Sequence, residues 1–169
     1  NAEFFASTWA LPGDWLWSNY AYAWANAEIG SYFFNTAYIS FVATAGTLLL
    51  AAMAAYVLAR VVFKGRQLLF YLFLAAMMVP AMLYLFPLFV QMRHMRLTNS
   101  HLGLILIYIA GGLPFSIFVL TGFFRTLPTE MEEAALMDGA SPWKTFWMIM
   151  LPLAKPGLIT VSIFSFINT

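Results

Sequence analysis

The sequence predicts an all-α, polytopic transmembrane helical bundle with three full spans, a partial fourth span and a cytoplasmic helix–turn–helix loop. Two observations predict this fold class. First, the 169 residues are 63% hydrophobic and only 9% charged, whereas about 25% of the residues in an average soluble domain are charged. Second, three apolar runs exceed the roughly 20 residues that a helix needs to cross a hydrocarbon core.

The apolar runs are separated by short polar segments. The first run covers about residues 32–59, the second about 68–91 and the third about 102–124. A fourth run opens at Leu151 and continues to the last residue of the sequence. None of the first three runs contains a charged residue, so each is a candidate transmembrane helix.

Helix-breaking residues fall within two of these runs. Pro80 and Pro87 should kink the second run, because proline removes a backbone donor and clashes with the preceding turn. In the third run, Gly111, Gly112 and Pro114 should permit close helix approach or local unwinding.

Residues 1–31 form an aromatic-rich segment with three acidic and no basic residues. Amphipathic rings favour the membrane–water boundary, which predicts an external interfacial segment. The alternative is a soluble loop with a small aromatic core. The residues concerned are Trp9, Trp15, Trp17, Tyr20, Tyr22 and Trp24, with Glu3, Asp14 and Glu28, and Pro12-Gly13-Asp14 as a turn.

Loop charge predicts the orientation. The segments 60–66 and 125–150 are separated by two crossings and hold five basic residues, whereas the opposite side, with segments 1–31 and 93–101, holds two. The positive-inside rule therefore places 60–66 and 125–150 in the cytoplasm. The five are Arg60, Lys64, Arg66, Arg125 and Lys144, and the two are Arg93 and Arg96.

Local rules predict two helices in residues 125–150. Thr129 and Glu132 have the spacing of a capping box that begins the first helix. Gly139 is placed to end that helix in a left-handed conformation. Ser141 is a candidate N-cap, and Pro142 suits the first position of a second helix.

The second helix has an apolar face formed by Trp143, Phe146, Trp147 and Met150, at positions i, i+3, i+4 and i+7. Two uses fit such a face. It can anchor the loop at the membrane interface, or it can dock a cytoplasmic partner. Periodicity does not distinguish between them.

The spacing of Glu133-Ala134-Ala135, Gly139, Ile149 and Leu151-Pro152 resembles the EAA motif of binding-protein-dependent ABC importer permeases. Elsewhere the chain is similar to the MalG-like sugar permeases. That similarity is carried by Asn19-Tyr20 with Trp24, Tyr32-Phe33-Phe34-Asn35-Thr36, Phe63-Lys64-Gly65-Arg66, Leu97-Thr98-Asn99, Leu102-Gly103-Leu104-Ile105-Leu106 and Asp138-Gly139-Ala140-Ser141.

The resemblance implies a permease subunit that moves a solute, expected to be a carbohydrate, across the cell membrane of a bacterium or archaeon. Residues 32–169 would be a fragment of the permease domain, with a span missing at each end. The implied partners are a cytoplasmic ATPase dimer, a second permease subunit, an external solute-binding protein and membrane lipid. The resemblance implies no cofactor and no nucleic acid.

The same resemblance implies roles for the motif residues. Glu133 would pair with a basic group of the ATPase, and Gly139 would allow the sharp turn between the helices. Ile149, Leu151 and Pro152 would set the junction with the next span. The full set of expected ATPase-coupling residues is Glu133, Ala134, Ala135, Asp138, Gly139, Ile149, Leu151 and Pro152.

Few features of the sequence indicate an enzyme. The phosphate-binding pattern G-x-x-x-x-G-K-[ST] is absent, so ATP hydrolysis would belong to a separate chain. His94 and His101 read as solvated loop residues rather than metal ligands, and no catalytic set is assigned. The remaining alternative is a non-transport membrane scaffold or membrane enzyme whose inner loop lies at the interface.

The orientation is tested by labelling single introduced cysteines in intact cells with a membrane-impermeant reagent, since the sequence has no native cysteine. We expect Asn99→Cys to be labelled and Lys64→Cys and Lys144→Cys to be protected until the cells are opened. Labelling of the two lysine positions without labelling at position 99 would reverse the orientation.

Overall fold

The computed structural model describes residues 15–169, and the regular structure in that range is helical. The predicted all-α class is therefore confirmed, while Trp9 and the Pro12–Asp14 turn lie outside the described residues. Two compact units are present, one ending at Tyr38 and the other spanning Ile39–Thr169. The helices are α1 (Ser18–Asn26), α2 (Ile29–Arg60), α3 (Arg66–Met77), α4 (Ala81–His94), α5 (His101–Thr126), α6 (Glu130–Met137), α7 (Pro142–Leu153) and α8 (Lys155–Ile167).

In the first unit, aromatic side chains line α1 and the residues before it. The rings of Trp15 and Trp17 stack with their centroids 6.1 Å apart, and Tyr20 lies 5.8 Å from Trp17. No residue of α1 is buried. The alternative of a small aromatic core therefore finds no support in this helix.

Two helices are long and apolar enough to cross a membrane as single elements. These are α2, with 32 residues, and α5, with 26 residues, which contain 18-residue stretches with mean hydropathies of 2.0 and 2.2. The pairs α3–α4 and α7–α8 reach the required length only together, and they bend by 99° and 74°. By length and composition the described residues thus hold two spans, or up to four if each bent pair is one span.

Pro80 has a larger effect than the predicted kink. It lies in an extended conformation, with φ −60° and ψ 133°, between the end of α3 at Met77 and the start of α4 at Ala81. Proline has no N–H and disfavours helical geometry in the residue before it, which explains a complete break. Pro87, by contrast, lies inside α4 without ending the helix.

The third run forms the unbroken helix α5, so the local unwinding considered for Gly111, Gly112 and Pro114 does not occur. Close approach does occur at Gly112, where an added Cβ would lie 3.2 Å from Cγ2 of Thr47 on α2. Small residues allow helix backbones to approach in this way.

The core of the second unit lies where α2, α5, α7 and α8 meet. Small side chains of α2 leave room there for large ones from α5 and α7. Where side chains pack without voids, the dispersion contacts between them stabilise the helix crossing. The buried residues are Ala51, Ala52, Ala55, Leu58, Ile117, Leu120, Phe124, Phe146, Met150, Ala154 and Val161.

The expected start of the fourth run at Leu151 was wrong by four residues. Leu151 belongs to the end of α7, and the long apolar helix α8 begins at Lys155 after a break at Ala154. Pro156 lies in the first turn of α8. Because it has no N–H, it cannot extend the hydrogen-bond ladder of α7, but it suits a helix start.

Gly157 and Gly122 offer a matched test of this packing. A Cβ at Gly157 would lie 2.8 Å from Cγ of Phe123, whereas a Cβ at Gly122 meets nothing within 4 Å. We expect Gly157→Ala to lower the free energy of unfolding by about 1–3 kcal/mol through overpacking. Gly122→Ala should leave it unchanged or raise it by up to about 1 kcal/mol. Thermal unfolding of the purified full-length protein measures both, and equal effects would contradict the α5–α8 contact.

Candidate functional site

The candidate site is the segment from Glu130 to Pro152, which contains two helices joined by a turn at Gly139. Gly139 has φ +77°, as predicted. Its N–H donates to the carbonyl of Leu136 at 3.0 Å, and the N–H of Ala140 donates to that of Ala135 at 2.9 Å. These two bonds form a Schellman motif, which ends α6.

Glycine is required at this turn for conformational rather than steric reasons. A Cβ at Gly139 would meet nothing within 4 Å. The left-handed conformation itself is costly for other residues, by about 1–2 kcal/mol. The prediction of two short helices flanking Gly139 is therefore confirmed, with Asp138 as the C-cap of α6.

Ser141 begins the second helix as predicted. Its Oγ accepts a hydrogen bond from the N–H of Lys144 at 3.3 Å, and Pro142 occupies the first turn. Thr145 Oγ1 donates to the carbonyl of Ser141 at 3.1 Å. The polar groups at this helix start are thus satisfied locally.

The middle of α7 is wound as a π-helix over Phe146–Met150. Within it, the N–H of Leu151 donates to the carbonyl of Phe146, five residues back. Pro152 follows and has no N–H to continue an α-helical ladder. Ile149 and Leu151 are partly buried and Pro152 is exposed, all just before the bend at Ala154.

The predicted apolar face of α7 packs mostly into the core. Phe146 and Met150 are buried, Trp147 is half-buried, and only Trp143 is largely exposed. The Phe146 ring centroid lies 5.1 Å from that of Tyr56 on α2. Most of this face is therefore unavailable to anchor the loop at a membrane interface.

Helix α6 exposes the predicted acidic group. Glu133 and Ala134 lie at the surface, while Ala135 is buried against the rest of the unit. Three large apolar side chains of α6 are exposed as well, namely Met131, Leu136 and Met137. The surface of α6, defined by Glu130, Glu133, Leu136 and Met137, thus combines two carboxylates with two large apolar side chains on one face of the helix.

The predicted Thr129–Glu132 capping box was wrong. Thr129 has helical dihedral angles and makes no side-chain capping bond. Glu132 instead faces Arg60, with Oε2 lying 3.7 Å from Nε in a mostly buried salt bridge. The Glu132 carboxylate pairs with the guanidinium of Arg60 on α2, and this interaction between two charges is stronger than a capping bond from a local backbone N–H.

Sequence reasoning also missed the role of Arg60, which was counted only as a loop charge. Arg60 is the last residue of α2, and its Nη2 donates to the carbonyl of Leu127, 67 residues further along the chain. Leu127 follows the end of α5. The sequence did contain a signal for this role. The long uncharged run ends in a single arginine, Arg60, and the helix that begins at Glu130 is rich in acidic residues.

The histidines do not form a site of the kind that metals require. His94 ends α4 and His101 begins α5. In the range that the structure describes, no group of three or more histidine, cysteine, aspartate or glutamate residues is placed to hold a metal ion.

Residues 47–169 match the family of binding-protein-dependent transport system inner membrane components. The chain is 47% identical over 166 residues to the diacetylchitobiose uptake system permease protein NgcG of Streptomyces coelicolor. It is 38% identical over 157 residues to the trehalose transport system permease protein SugB of Mycobacterium tuberculosis. These alignments cover 98% and 93% of this chain but 55% and 57% of the relatives.

Among solved structures, the fold is similar to that of a bacterial ABC transporter involved in the import of the acidic polysaccharide alginate. The TM-score is 0.82 at 26% sequence identity, and the match covers 94% of this chain and 55% of the other. The chain therefore spans about half the length of the proteins that it matches.

The burial of the α7 face predicts a contrast between two aromatic residues. Phe146→Ala should lower the free energy of unfolding by about 3–5 kcal/mol, because it leaves a cavity between α2, α5 and α7. Trp143→Ala, at a side chain that is 60% exposed, should change it by less than about 0.5 kcal/mol. Chemical or thermal unfolding in detergent measures both, and a larger loss for Trp143→Ala would contradict the packing.

Proposed function

Because the chain belongs to the family of binding-protein-dependent transport system inner membrane components, we propose that it is the membrane-spanning permease part of an ATP-binding-cassette importer. The relatives NgcG and SugB are named for the uptake of diacetylchitobiose and the transport of trehalose, and the proposed solute is accordingly a carbohydrate. ATP hydrolysis is assigned to a separate subunit, since this sequence has no phosphate-binding loop.

The proposed topology uses α2, the bent pair α3–α4 and α5 as full spans, with α8 as a partial fourth. Residues 32–169 are then the permease domain, and 125–150 are its cytoplasmic EAA loop. Residues 1–31 are the external aromatic-rich segment. The support is the uncharged character of the apolar runs 32–59, 68–91 and 102–124 within these helices, and the excess of basic residues in 60–66 and 125–150.

The surface of α6 supports this proposal, because it presents Glu133 together with exposed Leu136 and Met137, which follow it by three and four positions on the same face. An exposed carboxylate with large apolar neighbours suits a protein partner with a basic group, since such a pair gains strength where water is excluded. The proposed partner at this surface is the cytoplasmic ATPase dimer. A second permease subunit, an external solute-binding protein and membrane lipid complete the assembly.

Transmission from this surface follows from the packing. A displacement of α6 reaches α7 through the short turn at Gly139. Phe146 and Met150 fix α7 in the core with α2 and α5, so α7 moves with the ends of both helices. Ile149, Leu151 and Pro152 lead into the bend at Ala154 and thus into α8.

The rival function is a membrane scaffold or enzyme with an interfacial inner loop. That role uses the apolar face of α7 as a lipid anchor, yet Phe146 and Met150 are buried. Co-purification separates the two functions, because only the importer requires an ATP-hydrolysing subunit held through residues 130–150.

Glu133 and Gly139 are predicted to couple solute uptake to ATP hydrolysis. In the full-length protein, reconstituted with its ATPase, second permease and binding protein, Glu133→Ala should weaken ATPase association and reduce uptake. It removes one member of an intersubunit pair, which costs a few kcal/mol when the pair is desolvated. Gly139→Val should also reduce uptake, because a β-branched residue is strongly disfavoured at positive φ.

The matched control for the turn is Gly139→Asn, since asparagine tolerates the left-handed conformation. We expect this variant to retain most of the uptake that Gly139→Val loses. Membrane insertion should be normal in all three variants. Uptake at the wild-type rate by both Glu133→Ala and Gly139→Val would remove the EAA loop from the coupling mechanism.

A further inference from the structure

We infer that Arg60 and Glu132 form an intrachain clamp, a pair of positioning residues that makes the EAA helix α6 move together with the end of α2. The clamp is distinct from the ATPase-facing group Glu133, and it rests on the proposed function for its role in transport. Its evidence is the geometry of one guanidinium group that contacts three elements.

Glu132 is more buried than the acidic residues next to it on α6. The side chain of Glu132 is 17% exposed and that of Arg60 is 9% exposed, whereas Glu130 and Glu133 on the same helical turn are exposed. Residues one position away point to different sides of a helix. Glu132 therefore faces the interior of this chain while Glu133 faces outward.

The guanidinium of Arg60 bridges α2, the end of α5 and α6. It donates to the carbonyl of Leu127 through Nη2 and pairs through Nε with Oε2 of Glu132. The Tyr56 side chain, one turn earlier on α2, lies close enough to the Glu132 carboxylate for the two groups to interact electrostatically.

The clamp is only partly closed. At 3.7 Å the two charged groups are paired but are not within hydrogen-bond distance. Within residues 15–169, Nε of Arg60 and Oε1 of Glu132 are buried and have no hydrogen-bond partner. Buried polar atoms without partners are rare and call for an explanation, and here a shift of α6 toward Arg60 would bring Nε within hydrogen-bond distance of Oε2.

This geometry gives the EAA loop a second mechanical route. The first route runs through Gly139 and α7, whose packing reaches α8 and the ends of α2 and α5. The clamp adds a direct link from α6 to the end of α2 that does not pass through α7. Loss of the clamp should leave ATPase binding at Glu133 intact while α2 follows α6 less closely.

The test uses the full-length protein in proteoliposomes with its ATPase, second permease and binding protein. We expect Glu132→Gln and Arg60→Gln to retain ATPase association and to lower solute uptake per ATP hydrolysed at least about fivefold, in the range of typical coupling energies. The charge-swapped double variant Arg60→Glu with Glu132→Arg should recover a large part of that loss. Lys64→Gln, at an exposed basic residue that lies shortly after Arg60 and outside residues 130–152, should keep the wild-type ratio.

A purely structural role predicts a different result, namely less folded protein with an unchanged ratio of uptake to hydrolysis, and this outcome would overturn the clamp. Failure of the charge swap to recover any uptake per ATP would do the same. If the wild-type chain neither binds an ATPase nor transports solute, the proposed function fails instead, and the two failures are distinguishable.

A second measurement does not depend on transport. Spin labels at Val62→Cys and Glu130→Cys report the distance between the end of α2 and the start of α6. In the wild-type background we expect one distance with and without bound ATP, and in Glu132→Gln a broader, nucleotide-dependent distribution. Equal nucleotide dependence in both backgrounds would show that the clamp does not join the helices.

Discussion

The position of the functional loop depends on the packing of Phe146 between the C-terminal ends of α2 and α5. Its ring lies 5.1 Å from that of Tyr56 and belongs to the same buried cluster as Ala55, Leu58 and Phe124. Because α2 carries small alanine side chains at this point, the phenyl group of Phe146 has room to reach the crossing of α2 and α5. Everything after Gly139 is oriented by this contact, and the exposed surface of α6 is oriented in turn by the short Schellman turn.

Much of this architecture could be predicted from local sequence. Uncharged runs gave the positions of α2 and α5 because a helix satisfies all of its own backbone groups in an apolar medium. The turn was also predictable, since Gly139, Ser141 and Pro142 each act through their own backbone geometry. The periodic face of α7 was found correctly, but periodicity could not tell whether lipid, a partner or the same chain covers it.

The errors came from interactions between distant parts of the sequence. Glu132 has the spacing of a capping residue, yet a cation from α2 competes for it, and no local pattern reports that competition. Pro80 predicted a disturbance, but the 99° bend reflects a full break before Ala81. The family resemblance supplied the proposed coupling roles of Glu133 and Gly139, whereas the contacts of Arg60, which lies outside the motif, emerged only from the structure.

The π-helical turn at Phe146–Met150 has a consequence for how this loop tolerates changes in length. A π turn takes up one residue more than an α turn, and each residue rotates an α-helix by about 100°. Ser141 and Pro142 fix the helix on one side of this turn, and the bend at Ala154 fixes it on the other. A single-residue deletion inside the turn can therefore be absorbed by rewinding it as ordinary α-helix, with the residues on either side keeping their faces. The same deletion elsewhere in α7 would rotate every later side chain by about 100°, so the π turn is the place where the spacing between the glycine and the Leu-Pro pair can shorten without a change of helical phase.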